Sequence, residues 1–305
     1  MKKKNMAKKA VLPALLAVLC STAALTSVSY AWFTMGNEAS VGQIDVNVQA
    51  ADGLQISADA ATWKSVLDVA SLTAVSSNKL GDSNTELAPV SSVGTVTGGV
   101  QEIFYAEKQL DESLKGKVAV AGVDYLMFDL YVKVDSGKKL SLTKDATVTG
   151  LSGSDKDSEL SSRVSFVDLG SMGIDSTYVP NKITGSFGSD VSSTAVIWEP
   201  NSTQHTPVAL GAGATAGEKD EYQGIASVAE PATGESLGVA TLSQSNVQTT
   251  DNSSDIEVAT LEAGVNKIRV YIWLEGQDLD CTNEVSGSKF GVNLKFSVPK
   301  QSGSN

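Results

Sequence analysis

The residues best suited to chemistry are five oxygen-bearing side chains near the end of the chain. They are Glu275, Asp278, Asp280, Asn283 and Glu284. Carboxylate and amide oxygens are the hard ligands that Ca²⁺ prefers. The spacing is not that of an EF-hand loop, and Asp- and Asn-rich segments are also typical of solvated turns. The sequence therefore leaves a calcium site and a solvated turn as open interpretations, and it predicts no other cofactor.

Residues for the common catalytic sets are scarce. The chain has a single histidine, His205, so one chain cannot supply a two-histidine zinc site. His205 has no nucleophile elbow near it, and neither a glycine-rich phosphate loop nor a dinucleotide fingerprint is present. We therefore predict a protein that is not an enzyme. The open alternative is a hydrolase that uses two carboxylates in a cleft.

The charge of the chain argues against two classes of partner. It contains 23 Lys plus Arg against 35 Asp plus Glu, for a net charge of −12. A protein this acidic repels nucleic-acid phosphates, and it lacks the basic patch that binds anionic lipid. Because 41% of the residues are hydrophobic, we expect a folded core rather than a disordered chain.

The N-terminus has the pattern of an export signal. A lysine-rich start precedes an apolar run over 11–25, and Ser29-Tyr30-Ala31 places small residues at positions −3 and −1 of a cleavage site. We predict that residues 1–31 are removed by signal peptidase and that the protein is secreted to the extracellular matrix or the cell surface. A retained membrane anchor is the alternative, because residues 10–31 are long enough to span a bilayer.

The predicted mature N-terminus carries large apolar side chains that need a buried place. They could pack against their own domain. They could also dock on a neighbouring copy, which would add a strand to its sheet and build a head-to-tail contact that propagates as a filament. We take residues 32–41 as a candidate donor segment. The candidate assembly residues are Trp32, Phe33, Met35, Ile44, Val46 and Val48.

The strongest local signal is the alternation of apolar and polar residues with the period of a β-strand in several segments. Such alternation is typical of antiparallel sheets with one buried face. The longest patterns cover 126–134, 268–274 and 290–298, after an early one at 44–48, and shorter candidates lie at 54–57, 140–148, 164–169 and 195–198. Short helices are predicted over 62–70 and 158–163.

Together these patterns predict an all-β fold, a two-sheet antiparallel jelly-roll-like sandwich with long loops and one or two short helices. We assign the sandwich to a single domain over 42–300, followed by a flexible tail over 301–305. The Ser-, Thr- and Gly-rich stretch 200–254 is long for a loop, so it is functional, mobile, or hides short strands.

Features at both ends of the chain occur together in a known family. A Lys-rich signal ends in Ser29-Tyr30-Ala31, Trp32-Phe33-Thr34 follows, and an alternating strand leads into the body. The chain then closes on two strand sequences, Arg269–Gly276 and Val292–Phe296. In these features it resembles the TasA/camelysin-type secreted proteins of Gram-positive bacteria. The longer Ser- and Gly-rich loops and the bulkier Trp-Phe at the cut depart from that family.

The resemblance implies a jelly-roll subunit of biofilm-matrix fibres or pilus-like filaments, joined by donor-strand exchange. Its partners would be further copies of itself, signal peptidase and other matrix components, with membrane contact only through the uncleaved signal segment. The alternative is a monomeric cell-surface adhesin or glycan-binding module that uses the loops at 200–254 and 275–287. An aromatic patch near Trp198 or Trp273 would favour this alternative.

Overall fold

The structure is a computed structural model of the full chain. It describes residues 45–51, 54–81, 85–106, 117–151, 158–172, 191–201, 204, 223–227, 238–241, 247–249, 254–278, 280–282, 285 and 289–298. These residues all belong to one compact unit, Glu38–Asn305. The predicted signal peptide, donor segment and tail lie outside the described residues, so the predicted domain boundaries stay a prediction.

The described chain is built almost entirely of strands. In chain order they are β1 (Asp45–Ala50), β2 (Gln55–Ser57), β3 (Val66–Leu67), β4 (Pro89–Ser91), β5 (Val96–Thr97), β6 (Val100–Gln101), β7 (Phe104–Tyr105), β8 (Leu126–Val134), β9 (Lys138–Leu142), β10 (Thr147–Gly150), β11 (Ser162–Met172), β12 (Val196–Glu199), β13 (Gln223–Ser227), β14 (Gly238–Thr241), β15 (Val247–Thr249), β16 (Ile256–Leu261), β17 (Gly264–Glu275) and β18 (Phe290–Ser297). One short helix, α1 (Val69–Thr73), follows β3.

The first sheet has six strands in the order β16-β9-β18-β1-β3, with β10 also paired to β18. Along β18, buried residues alternate with half-buried ones over all eight positions, as the alternation predicted. Strand β1 runs parallel to β18, with Val46 opposite Val292 and Val48 opposite Leu294. On its other side β1 meets only the two-residue strand β3.

The second sheet has eight strands, in the order β15-β12-β11-β17-β4-β7, with β8 on β17 and β2 on β8. Strand β17 lies at its centre and pairs antiparallel with β8 and β11. Tyr271 and Trp273 lie on the face of β17 that alternation assigns to the side away from the main core. Both side chains are fully buried, because they pack with apolar residues of 88–105 and 119–125 in a second apolar core.

The main core lies between the two sheets. Within it, Phe166 of β11 contacts Phe296 of β18 edge to face, with ring centroids 5.7 Å apart. Buried residues from both sheets belong to this one cluster. The predicted all-β, two-sheet antiparallel sandwich is therefore confirmed, with three parallel pairs among its strands. The jelly-roll connectivity stays a prediction.

The local predictions differ from the structure in three places. The stretch 140–148 is two strands, β9 and β10, separated by a turn in which the Ala146 amide donates to the Thr143 carbonyl at 2.9 Å. The predicted helix over 62–70 is reduced to α1, which begins after its N-cap Asp68. The helix over 158–163 does not form, because Ser162 and Arg163 already pair with β17.

The long stretch 200–254 contains the short strands β13, β14 and β15, one of the outcomes that the sequence left open. Within the described ranges, no helix is long and apolar enough to cross a membrane.

Candidate functional site

Two of the predicted assembly residues lie on β1, inside the sandwich core. Val46 is 1% exposed and Val48 is 0% exposed. Both belong to the main apolar cluster, opposite two buried residues of β18. Strand β1 thus fills a place in the sheet that would otherwise leave the edge of β18 open. Trp32, Phe33, Met35 and Ile44 lie outside the described residues.

Within the described residues, one short connection joins β1 to the rest of the chain. The Ala51 amide donates to the Phe296 carbonyl at 2.8 Å, and the Leu54 amide donates to the Ala51 carbonyl at 3.1 Å. The chain then enters β2, which belongs to the other sheet. No described strand precedes β1. A strand with one short connection to the next strand can be exchanged between identical copies, and an exchanged β1 would restore the pairing with both β18 and β3.

Two of the acidic residues at the end of β17, Glu275 and Asp278, face the protein interior. Asp278 Oδ2 lies 2.6 Å from Arg163 Nη2, and Glu199 Oε1 lies 2.7 Å from the same nitrogen. Glu275 Oε2 accepts a hydrogen bond of 3.0 Å from Trp273 Nε1, and its Oε1 accepts one of 3.1 Å from the Gln277 amide. We call Arg163, Glu199, Glu275 and Asp278 the buried charge cluster.

The burial of these side chains tests the two interpretations of the acidic segment, a calcium site and a solvated turn. A solvated turn is wrong for Glu275 and Asp278, which are 2% and 1% exposed. Their carboxylates bind protein donors, and the described part of the chain holds no group of three His, Cys, Asp or Glu side chains arranged around a metal position. Asp280 is half-buried, while Asn283 and Glu284 lie outside the described residues. The calcium site stays a prediction.

Burial shifts the pKa values of Glu275 and Arg163, and charged neighbours oppose both shifts. Burial raises the pKa of Glu275 to about 7, and the nearby guanidinium of Arg163 opposes that rise. Burial lowers the pKa of Arg163, but the carboxylates of Glu199 and Asp278 more than offset it, so the pKa ends well above the ordinary value. Arg163 therefore stays charged. It also donates to the Ser162 carbonyl at 2.9 Å.

The sequence analysis missed Arg163 and Glu199. The usable signal was a charged residue at the end of each of two apolar patterns, 164–169 and 195–198. A charge adjoining an apolar strand is buried only when it is paired. The sequence alone does not say that β11 and β12 lie side by side, with Trp198 opposite Val164.

The turn after β17 packs closely against β4 and against the residue that follows β7. The Gly276 amide donates to the Val90 carbonyl at 2.8 Å. A Cβ at position 276 would lie 2.3 Å from Ala106 Cβ and 2.9 Å from Pro89 Cβ. Only glycine therefore fits between these two side chains without displacing them.

We expect Gly276→Ala to lower the free energy of unfolding by about 1–3 kcal/mol, the usual cost of overpacking. Urea denaturation measures the change. Gly137→Ala is the matched control, because its nearest non-neighbour atom, the Leu261 carbonyl oxygen, lies at 3.5 Å. Equal losses of unfolding free energy from both substitutions would contradict the close packing at position 276.

A second group of charged side chains links β8 to β17. Arg269 donates to the two oxygens of Asp129 at 2.7 and 3.1 Å, and Lys267 Nζ lies 2.8 Å from Asp129 Oδ2. Burial raises the pKa of Asp129, but Arg269 and Lys267 outweigh it, so the pKa is lowered overall. With its oxygens held by two cations, Asp129 is suited to a structural role rather than to proton transfer.

One half-open cleft of about 320 Å³ lies beside β16, and two carboxylates, Asp168 and Glu257, line it. Two carboxylates in a cleft are what the hydrolase alternative requires. Burial raises the pKa of Asp168, whose carboxylate accepts from the Gly170 amide at 2.9 Å. Glu257 Oε2 lies 2.7 Å from Lys139 Nζ. Both groups thus have partners within the chain.

The aromatic patch that would favour glycan binding does not form at the two positions considered. Trp198 is 1% exposed and Trp273 is 0% exposed. An indole ring buried to this degree has no free face for stacking on a sugar.

No family model, no curated protein and no solved structure matches this chain. The resemblance to TasA/camelysin-type proteins therefore rests on the sequence features described above.

Proposed function

We propose that the protein is an exported structural subunit of extracellular fibres or pilus-like filaments. In this proposal β1 of one copy takes the place of β1 in the six-stranded sheet of the next copy. The observation that carries it is the position of β1. It is the first described strand, is joined to the next strand by a short connection, and places Val46 and Val48 in the core beside β18.

The energetics of β1 support exchange between copies. Fully burying a valine contributes about 1.5–3 kcal/mol to stability. A sheet without β1 would expose the apolar groove beside β18, and binding a strand in that groove would be favourable. An identical β1 from a neighbour would fill the groove equally well. Because the donor and the acceptor lie on different parts of each subunit, the contact is head-to-tail and can propagate.

The remaining parts of the proposal rest on the sequence. The export signal over 1–31 and the resemblance to TasA/camelysin-type proteins support secretion, processing by signal peptidase, and assembly with further copies and other matrix components. The link between a donated β1 and its own subunit would be the residues between β1 and β2. Because an extended chain spans about 3.3 Å per residue, exchange requires the two subunits to lie in close contact.

A disulfide between β1 and β18 tests the proposal. Gln49 and Lys295 are directly opposite each other in the register, and neighbouring strands lie about 4.8 Å apart, within reach of a disulfide. We would introduce Gln49→Cys and Lys295→Cys in a Cys281→Ser background of the chain from Trp32. After assembly and oxidation, donated strands should give a ladder of covalent multimers on a non-reducing gel.

The control pair is Lys139→Cys with Thr260→Cys in the same background. These exposed residues are opposite each other on β9 and β16, which stay within one chain when β1 is exchanged. They should give only disulfides within a chain. If electron microscopy shows filaments but the β1–β18 pair also closes only within chains, strand donation is wrong. Monomers over a range of pH and calcium would contradict self-assembly itself.

A further inference from the structure

The cleft beside β16 is bordered by strands from both sheets of the sandwich. Among the described strands, β16 is an edge strand of the six-stranded sheet, and β11 of the other sheet lines the cleft with Phe166 and Asp168. Both strands are irregular at this point. The register of β16 on β9 shifts between Glu257 and Ala259, and that of β11 on β17 shifts between Asp168 and Ser171. Such irregularities bend a strand and re-aim its side chains, and they are frequent beside functional sites.

Asp168 is a half-buried carboxylate whose described partners are neutral groups. Its Oδ1 accepts from the Gly170 amide at 2.9 Å, and the Thr260 amide donates to the same carboxylate. Burial raises the pKa of Asp168, and the negative charge of Glu262 adds to that rise. Among the described residues, no lysine or arginine forms an ion pair with Asp168. The described chain therefore supplies no cation that offsets the burial of this carboxylate.

Asp129 shows what a cation does for a carboxylate in this fold. It is buried as well, but Arg269 contacts its two oxygens at 2.7 and 3.1 Å, and Lys267 Nζ lies 2.8 Å from Oδ2. Although burial alone would raise the pKa of Asp129, these cations lower it overall. A positive charge within a few ångströms favours the charged form of a carboxylate. A cation bound in the cleft would act on Asp168 in the same way.

The other lining residues indicate which kind of cation fits. Phe166, Val196 and Val258 give the cleft apolar surface, and Thr194 adds a hydroxyl group. Apolar surface does not suit a hydrated metal ion, but it does suit the methylene groups of an organic cation. A volume of about 320 Å³ lies at the small end of the range for ligand pockets. The lining therefore favours a short aliphatic chain that ends in a positive charge.

We propose that the cleft beside β16 binds a primary ammonium group on a short aliphatic chain. The ammonium lies beside Asp168 and Thr194, whose oxygens accept its hydrogen bonds, and the methylene groups pack against Phe166 and Val258. Two sources carry this chemistry, a free aliphatic amine and the side chain of a lysine on another protein chain. The proposal goes beyond the function of a fibre subunit and does not depend on filament assembly.

Ligand-observed saturation-transfer NMR on the chain from Trp32 tests the site, because the method works with monomers and with filaments. The first probe is butylammonium, compared with butanol and butyrate at equal ionic strength. A ligand of this size binds at roughly millimolar concentration. We expect butylammonium to bind about tenfold more tightly than butanol, which has the same length, because the hydrogen bond to Asp168 is then charge-assisted. Butyrate should bind more weakly than either.

Two further probes separate the possible sources of the ammonium group. Putrescine represents a free aliphatic amine, and N-acetyl-lysine methylamide represents a lysine side chain within a protein. Tighter binding of putrescine would assign the site to free amines. Tighter binding of the lysine derivative would assign it to a lysine of another chain. Either order supports the cleft as an ammonium site.

Asp168→Asn keeps an acceptor for the Gly170 amide and removes the charge. It should weaken butylammonium binding about tenfold or more and leave butanol binding unchanged. Asp145→Asn is the matched control, because Asp145 is an exposed carboxylate that pairs with Lys295 at 2.8 Å and does not line the cleft. This variant should bind as the wild type does. Val196→Phe adds volume to the lining and should weaken the binding of butylammonium and butanol alike.

Several results would overturn the site. They are equal affinities for butylammonium and butanol, an unchanged butylammonium affinity in Asp168→Asn, and an equal loss of affinity in Asp145→Asn. The absence of saturation transfer to butylammonium at about 50 mM, well above the expected dissociation constant, would do the same. If Asp168→Asn fails to fold, the preference of the wild-type protein for butylammonium and the loss of binding in Val196→Phe decide the question.

Discussion

Replacing Arg163 with methionine should lower the free energy of unfolding by about 3–5 kcal/mol, the loss observed when one partner of a buried ion pair is removed. Arg163 is 2% exposed, and its guanidinium contacts Glu199 and Asp278, which are 0% and 1% exposed. Methionine fills much of the volume but leaves two carboxylates in the interior without this cation. Urea denaturation at pH 7 measures the loss.

The matched control is Lys139→Met. Lys139 and Glu257 are 2.7 Å apart, as close as the Arg163–Glu199 pair, but their side chains are 63% and 46% exposed. A surface pair of this kind contributes about 0–1 kcal/mol. A triple variant, Arg163→Met with Glu199→Gln and Asp278→Asn, should recover part of the loss, because it removes the unpaired charges. Equal losses from Arg163→Met and Lys139→Met would contradict the buried charge cluster.

Removal of Arg163 should also act on Glu275. The guanidinium is the cation that lowers the pKa of Glu275 against the effect of burial. Without it, the pKa of Glu275 should rise further in any variant that remains folded. The pH dependence of the Trp273 indole N–H resonance measures this, because that N–H donates to Glu275 Oε2.

The strands were predictable because their signal is local. A strand that buries one face must alternate, and β18 does so over its whole length. The same rule located β8, β11 and β12. It also located β17 but did not predict the burial of its second face, which packs with segments far away in the chain. Alternation reports which side chains face a core, and it does not report how many cores the fold contains.

Strand partners were not predictable, because pairing is a long-range property. Nothing in the sequence of β1 indicates that it runs parallel to β18, the last strand of the described chain. The acidic turn illustrates the same limit. Its composition matches a solvated turn, yet Glu275 and Asp278 are buried, and Asp278 pairs with Arg163, which lies 115 positions away. Local composition therefore predicted the turn and missed its environment.

The second large effect concerns β1. A chain that begins at Ala51 should lose roughly 3–6 kcal/mol of unfolding free energy, since burying each of Val46 and Val48 contributes about 1.5–3 kcal/mol. It should also fail to form filaments. Adding a synthetic peptide of residues 42–50 should restore the stability by mass action, because the peptide binds the folded sheet and not the unfolded chain.

A peptide with Val46→Asp and Val48→Asp is the control, since it keeps the backbone donors and acceptors but would bury two charges beside β18. It should not restore stability. Recovery by the native peptide without filaments would mean that the sheet accepts β1 in trans and that polymerisation requires donor and acceptor in one chain, as strand donation demands. A chain from Ala51 as stable as the full-length protein would instead mean that β1 adds nothing to the sheet, and the proposed assembly contact would lose its basis.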